Sequence, residues 1–329
     1  MDYYNYSVDL PFSKIKIHFR ELNTREQLFI CKANLSFAND KESLFYYHKY
    51  VYDVICNCVK NIDDLKQINI VEYILFLTKL RSISIGSTIN FIANPESKTK
   101  TKIQIDLKNY LLDLYNAANY FEPEENNTII VDDFKVRLNW PNLDSVDTFL
   151  RLLNEPKDEY TTLDSSLGEY VKEIVFRDLK IPFSTITFEE KNQILNKTPL
   201  LIKLKTQEKV INACKKLFES DVFKVSFFSD YKFNLYNLSF IEHIKMLFAY
   251  DLKSLYSEIY FLSANNLPPE YVMSISSSER KLYTTIINEQ NQKRDETPEE
   301  NINQNVNPES GYGDSVRNLA LEFGQNPPK

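Results

Sequence analysis

The stretch Leu10–Leu35, LPFSKIKIHFRELNTREQLFICKANL, changes its periodicity halfway. In its first half Ile15, Ile17 and Phe19 alternate with Lys14, Lys16 and His18, and a period of two is a strand with one buried face. Asn23 or Thr24 then offers a side-chain oxygen to open a helix, with Glu26 or Gln27 three residues on to complete a capping box. Beyond it Leu28, Cys31 and Leu35 recur at helical spacing. A strand therefore runs into a helix without a glycine in the turn, and a strand–helix turn that cradles phosphate normally needs one. The junction is expected to serve packing. Its strand would edge a small sheet, and its helix would lie against a helix over Ile70–Ile85.

The shortage of glycine extends to the whole chain. Of the five glycines, Gly311, Gly313 and Gly324 lie near the end, which leaves Gly86 and Gly168 for the folded part. Dinucleotide-binding and Walker loops need clustered glycines, so both are excluded. The net charge of −7 argues against nucleic acid as a partner, because nucleic-acid binders present basic faces. The opening MDYYNYSVDL has neither the basic start nor the apolar centre of a signal peptide, and apolar runs such as Tyr73–Leu77 are too short to span a bilayer. These features lead us to expect a protein made and kept in a cytoplasm, with no membrane contact. The four cysteines, Cys31, Cys56, Cys58 and Cys214, read as plain buried thiols, and Cys56 and Cys58 point to different sides of a helix.

Working outward, the fold class is α+β, mostly helical, with small antiparallel sheets and a disordered C-terminal tail. Residues 1–92 read as a strand or hairpin followed by helices. Leu44, Tyr47, Val51, Val54 and Cys58 share one helical face, and Gly86 stops the helix over Ile70–Ile85. Residues 93–220 mix strand and helix. STINFIA, KTKIQIDL and DFKVRLNWP are strands; in the last, Phe134, Val136, Leu138 and Trp140 face one way and Lys135 and Arg137 the other. A short helix covers Lys108–Asn119. From about 143 to 220 the pattern reads as mainly helical, broken at Pro156, Pro182 and Pro199, with a capping box at Thr185 or Thr187. Residues 221–290 start with the strand FKVSF and continue in one long helix carrying Ile241, Ile244, Phe248, Leu252, Leu255, Ile259 and Leu262. Leu267–Tyr271 then turns the chain into a last helix over Ser278–Gln290. Residues 291–329 are polar and are expected to be disordered.

Candidate chemistry is sparse. His18, His48 and His243 each stand alone, with no histidine or cysteine at metal-ligand spacing. The acidic pairs Asp63–Asp64, Asp132–Asp133 and Glu189–Glu190 suit solvated loops and helix N-termini. There is no nucleophile elbow and no HExxH. No catalytic residue, cofactor or metal is assigned, and elimination favours a binding or scaffold role.

The order of the N-terminal segments resembles the T4-type phage baseplate protein family. Its members open with an LPS-x-K-x-K-x-RP strand and a T-x-x-E helix, then an I-x-x-C segment and a D-x-E-Y-L-F-L-x-L-R-x-x-S-x-G helix. The matching residues are Lys14, Lys16, Arg20, Glu26, Cys58, Glu72, Tyr73, Leu75, Leu77, Leu80, Arg81, Ser84 and Gly86. The closing LPPEYVMSISSSERKLY is similar to the family's last helix, with Ser278 where proline is usual. The likeness covers the first 90 residues well, about 120 to 290 loosely, and the tail not at all. It implies a non-enzymatic baseplate hub protein or hub-assembly chaperone. Its partners would be other tail or hub proteins, the tape-measure protein among them. It would act in the host cytoplasm during assembly, with the virion baseplate as a further location. The alternatives are a helical adaptor unrelated to tails and an enzyme without a linear motif. The C-terminal helices carry more aromatic surface than one apolar stripe requires, so Tyr250, Tyr256, Tyr260, Phe261, Tyr271 and Tyr283 are the candidate partner-binding residues. Completion of the core beneath FKVSF is the competing use of the same rings.

Overall fold

The computed structural model describes residues 4–36, 41–93, 101–146, 166–218 and 244–296. Met1–Thr284 form one compact unit and Thr285–Lys329 a second. The chain opens with strands β1 (Tyr6–Asp9) and β2 (Lys16–Phe19), paired antiparallel with Val8 opposite Ile17. Ile17 and Phe19 are buried and Lys14, Lys16 and His18 exposed, so the register is as expected, although Ile15 at the mouth of the hairpin is only half-buried. The far edge of β2 is extended by the chain at Cys58–Lys60, where the Arg20 amide donates to the Cys58 carbonyl and the Lys60 amide to the His18 carbonyl, both at 2.9 Å.

Helices α1 (Thr24–Ser36), α2 (Lys41–Cys56), α3 (Ile62–Lys66) and α4 (Ile70–Ser84) follow. α4 is the central rod. Its residues from Ile70 to Thr78 are buried without a break, the pattern of a helix enclosed on all sides. Asn69 and Glu72 form its capping box, and Gly86 leaves it with φ of +141°, a conformation that favours glycine. α1 packs chiefly on α2 and on the C-terminal helices.

Strands β3 (Thr88–Ala93) and β4 (Thr101–Asp106) form a separate hairpin that feeds α5 (Leu107–Ala118). The short helix α6 (Glu124–Asn127) leads into a four-stranded antiparallel sheet, β5 (Thr128–Val131), β6 (Phe134–Leu138), β7 (Val171–Phe176) and β8 (Leu179–Pro182), in that spatial order. Val136 and Leu138 face the core, as does Trp140 just beyond the strand, whose indole donates to the Ala117 carbonyl at 3.0 Å.

The β7–β8 hairpin corrects the helical reading of this region. Its tip holds no glycine, and Arg177 takes the left-handed conformation itself (φ 52°). Its alternation is disguised too. Glu173 is buried on the strand because Arg137 (3.1 Å) and Lys180 (2.7 Å) flank it. Asp132, Lys14 and Asn266 likewise adopt positive φ without being glycine. Lys180 and Pro182 occupy the outer edge strand, the residues that discourage further strand addition.

Helices α7 (Phe188–Lys197) and α8 (Leu200–Phe218) come next, α7 opened by a Thr187–Glu190 capping box. Gly168 lies so close to α7 that a Cβ there would sit 2.9 Å from the Lys191 Cβ. The FKVSF strand, like His243 and Ile241, lies outside the described residues. The long helix expected over Ile241–Leu262 is two pieces. A helical turn at Ile244–Leu247 ends, and Asp251 restarts the chain as α9 (Leu252–Ala264) by accepting from the Lys253 and Ser254 amides. An aspartate on the chain just ahead of Leu252 caps better than it continues a helix. α10 (Pro269–Ser274) and α11 (Ser277–Glu296) complete the described chain. α11 runs six residues beyond the expected boundary at Gln290, and residues 297–329 of the expected tail lie outside the described residues. The architecture is α+β with helices in the majority and small antiparallel sheets.

Candidate functional site

The strand–helix junction is held by side chains. Asn23 caps α1 by accepting from the Glu26 amide, and Glu26 accepts in return from the Asn23 amide, both at 2.9 Å. The same carboxylate takes a bidentate pair from Arg20 at 2.7 and 2.8 Å, and the Cys58 thiol points at it from 3.6 Å. Arg20 also donates to the Glu21 and Asn57 carbonyls. A bidentate guanidinium–carboxylate pair with filled remaining valences is a rigid staple, and it joins β2, α1 and the end of α2.

The other polar residues that carry the family resemblance do similar work. Glu72 is fully buried, and one of its oxygens accepts from the Phe12 amide (2.9 Å), the Ser13 amide (2.8 Å) and the Ser13 hydroxyl (3.2 Å), pinning the β1–β2 loop to α4. Ser84 accepts from the Leu22 amide at 2.9 Å. Arg81 donates to the carbonyls of Leu247 (2.8 Å), Gly86 and Thr88, and burial lowers its pKa to about 10. These groups bind backbone, so they are already engaged.

The C-terminal helices dock on this junction. Arg280, 1% exposed, sends one nitrogen to the Thr24 hydroxyl and another to the Gln27 side-chain carbonyl, each at 2.7 Å, and its Nε to Glu258 at 3.2 Å. The Thr24 amide and hydroxyl both donate to the Ile275 carbonyl at 2.9 Å. Glu21 accepts from the Ser278 hydroxyl at 3.0 Å. Leu28 and Cys31 of α1, with Leu255, Ile259, Leu262, Val272, Met273 and Ile275, are buried but stand outside the main core cluster. The hairpin therefore uses its apolar stripe within the molecule.

That settles where the six candidate aromatics lie. Tyr250 is half-buried and donates to Glu258 at 3.0 Å, and burial followed by the Glu258 charge pushes its pKa up to about 12. Tyr256 is half-buried with the Lys32 ammonium 6.0 Å from its ring centre, and Phe261 is half-buried. Tyr260 is 64% and Tyr271 40% exposed. Tyr271 and half-buried Tyr283 meet edge to face, ring centres 6.0 Å apart and hydroxyls 2.8 Å apart. That hydrogen bond holds the Tyr271 hydroxyl above its ordinary pKa. The structure thus brings together Tyr271 and Tyr283, leaves Tyr260 in solvent, and gives Tyr250 and Tyr256 internal contacts. Sequence reasoning missed Arg280 and Glu258, because a charged residue in a polar helix looks solvated. Their spacing to Thr24 and Gln27 is unreadable along the chain.

Reactive groups are dispersed. Among the described residues no three histidine, cysteine or acidic side chains assemble into a metal-binding group. His18 is exposed, and His48 is buried, which lowers its pKa to about 4. Burial raises the Cys31 thiol to about 11, against the opposing charges of Arg81 and Arg280, and raises Cys58 further. Both thiols are inert at neutral pH. A surface depression of about 600 Å³ beside α3 is lined by Asn57, Lys60, Asn61, Asp63 and Lys66, and Lys66 pairs with Asp63 at 2.9 Å. No helix among the described residues is long and apolar enough to cross a membrane.

Comparison with known proteins gives one family. The model described as T4 bacteriophage base plate protein matches residues 1–225. No curated protein and no solved structure matches the chain.

Proposed function

Because the chain belongs to the T4 bacteriophage base plate protein family, we propose that it acts as a non-enzymatic scaffold in assembly of the baseplate hub. It is a hub subunit or a hub-assembly chaperone, and its partners are hub and tape-measure proteins met in the host cytoplasm. The observation that carries this reading is the surface of the C-terminal helices. The Tyr271–Tyr283 pair and Tyr260 present aromatic area to solvent from a hairpin whose apolar stripe is already buried and whose Arg280 is already bonded to Thr24, Gln27 and Glu258. Rings held at a surface by a fixed helix offer large contact area at low entropic cost.

The test is co-purification of the full chain from cells infected with the source phage. Hub or tape-measure proteins are expected with the natural chain and are lost with the Tyr271→Ser/Tyr283→Ser variant, which keeps its thermal transition. Recovery of neither protein from the natural chain overturns the proposal. Peptides of the chain in purified virions mark a structural subunit, and their absence from virions marks an assembly factor.

A further inference from the structure

The chain from Leu252 to Thr284 is attached differently from the segment just before it. Ile244, Leu247 and Phe248 belong to the main core cluster. The Leu247 carbonyl accepts from Arg81 at 2.8 Å and the Phe248 carbonyl from the Asn34 side chain at 3.0 Å, so the body holds the chain up to Phe248. Ala249, Tyr250 and Asp251 then belong to no helix or strand, and Ala249 and Asp251 are exposed. Beyond this joint, α9 and α10 pack on each other and on α1. Leu255, Ile259, Leu262, Val272 and Met273 are buried with Leu28 and Cys31 of α1, apart from the main core. A segment that keeps its own apolar cluster and joins the body through a short extended stretch is built to open as a unit.

The polar contacts across the interface are of the kind that water can replace. Arg280 donates to the neutral Thr24 hydroxyl and Gln27 side-chain carbonyl, while its carboxylate partner, Glu258, lies on α9 and travels with it. The bonds from Thr24 to the Ile275 carbonyl, from Ser278 to Glu21 and from Lys281 to the Ile85 carbonyl (3.4 Å) each separate into groups that water serves well. The closed state also carries a defect. The Gln27 Nε2 is buried and has no acceptor among the described residues, and an unmade buried donor favours any state that wets it.

We propose that Leu252–Thr284 is a hinged strap, which pivots at Ala249–Asp251 and lifts from α1 in one piece while the core stays folded. Arg280 is its clasp. Lifting uncovers the apolar strip of Leu28 and Cys31 beside the hydrogen-bonding groups of Thr24 and Gln27, a surface that the closed molecule hides. Tyr271 and Tyr283 both lie on the strap, so their paired rings move together. The proposal rests on the packing alone and does not depend on the hub reading.

The test is iodoacetamide alkylation of the full chain, read cysteine by cysteine by mass spectrometry under conditions where reclosing outruns alkylation. Cys31 lies under the strap, and Cys58 is fully buried in the main core. Cys31 is expected to react at least about tenfold faster than Cys58 and to depend less steeply on urea, because lifting the strap exposes less surface than unfolding does. Hydrogen exchange should place the amides of Thr24, α9 and α10 with Cys31, and those of α4 with Cys58. Val136→Ala, in the four-stranded sheet, should speed Cys58 about tenfold and leave Cys31 unchanged, since the sheet stays intact when the strap lifts. Arg280→Ala should speed Cys31 by about tenfold, the worth of one hydrogen bond to a charged group. The proposal is overturned if Cys31 and Cys58 share one rate and one urea dependence, if Val136→Ala speeds both alike, or if Arg280→Ala leaves Cys31 unchanged. It is equally overturned if α9 and α10 exchange only with α4. No readout involves a partner, so failure here leaves the hub reading standing.

Discussion

Replacing Glu72 by alanine tests whether the residues behind the family resemblance are structural staples. The carboxylate is fully buried and has no ion pair among the described residues; its acceptor capacity goes to the β1–β2 loop and to the Asn69 cap. Truncation strands the Phe12 and Ser13 amides, at about 1–3 kcal/mol for each donor left unsatisfied. It also removes half of a capping box, at about 0.5–1 kcal/mol. Relief of the buried charge offsets part of this, so the net loss is about 3 kcal/mol. Glu72→Gln keeps an oxygen facing both amides and should cost only about 1 kcal/mol. Urea denaturation measures both, and the single tryptophan, Trp140, is a suitable probe because it is buried against Phe121 and Tyr170. A loss below about 1 kcal/mol for Glu72→Ala, or equal losses for the two variants, would show that the amides do not depend on this carboxylate.

Three further outcomes follow from the geometry. Val136→Asp puts a charge with no counter-ion between Ile129 and Ile174 in the middle of the sheet; the loss should exceed about 4 kcal/mol, and a soluble variant with an unchanged melting temperature would refute the register. His48 has a folded pKa of about 4, below the ordinary 6.5, so the unfolded chain binds the extra proton between those values. Stability present above pH ~6.5 should therefore fall by about 3 kcal/mol as pH drops towards ~4, and a His48→Phe variant should show a shallower fall in its denaturation midpoint over that window. Ending the chain after Glu296 should leave the thermal transition of the Met1–Thr284 unit unchanged, and calorimetry of the shortened chain would expose any shift.

Much of the fold was legible because local chemistry announces it. The boxes Asn23–Glu26 and Thr187–Glu190 both form, since each pairs a small acceptor with a glutamate three residues on. β6 was readable from its alternation, and Gly86 from its place after an apolar run. The β7–β8 hairpin was not. Its turn relies on Arg177 in a conformation that sequence rules reserve for glycine or asparagine, and Glu173 breaks the alternation because its partners, Arg137 and Lys180, come from neighbouring strands. The break before α9 was hidden for the opposite reason. The apolar spacing runs through it, and only Asp251 signals a restart. At the candidate site the aromatic residues were visible as a surplus. Which of them face solvent was decided by Arg280, Glu258 and Lys32, contacts that only the folded chain brings together.

The bond from the Thr24 amide to the Ile275 carbonyl joins residues 251 positions apart. A ribosome adding about 5–20 residues per second needs roughly 10 to 50 seconds to cover that distance. Throughout that interval the nascent chain has made α1 but not the helices that cover Leu28 and Cys31, and the first amide of α1 lacks its native acceptor. Each copy thus begins life with an uncovered apolar strip on its earliest helix. The pace of translation therefore sets how long that strip stays uncovered.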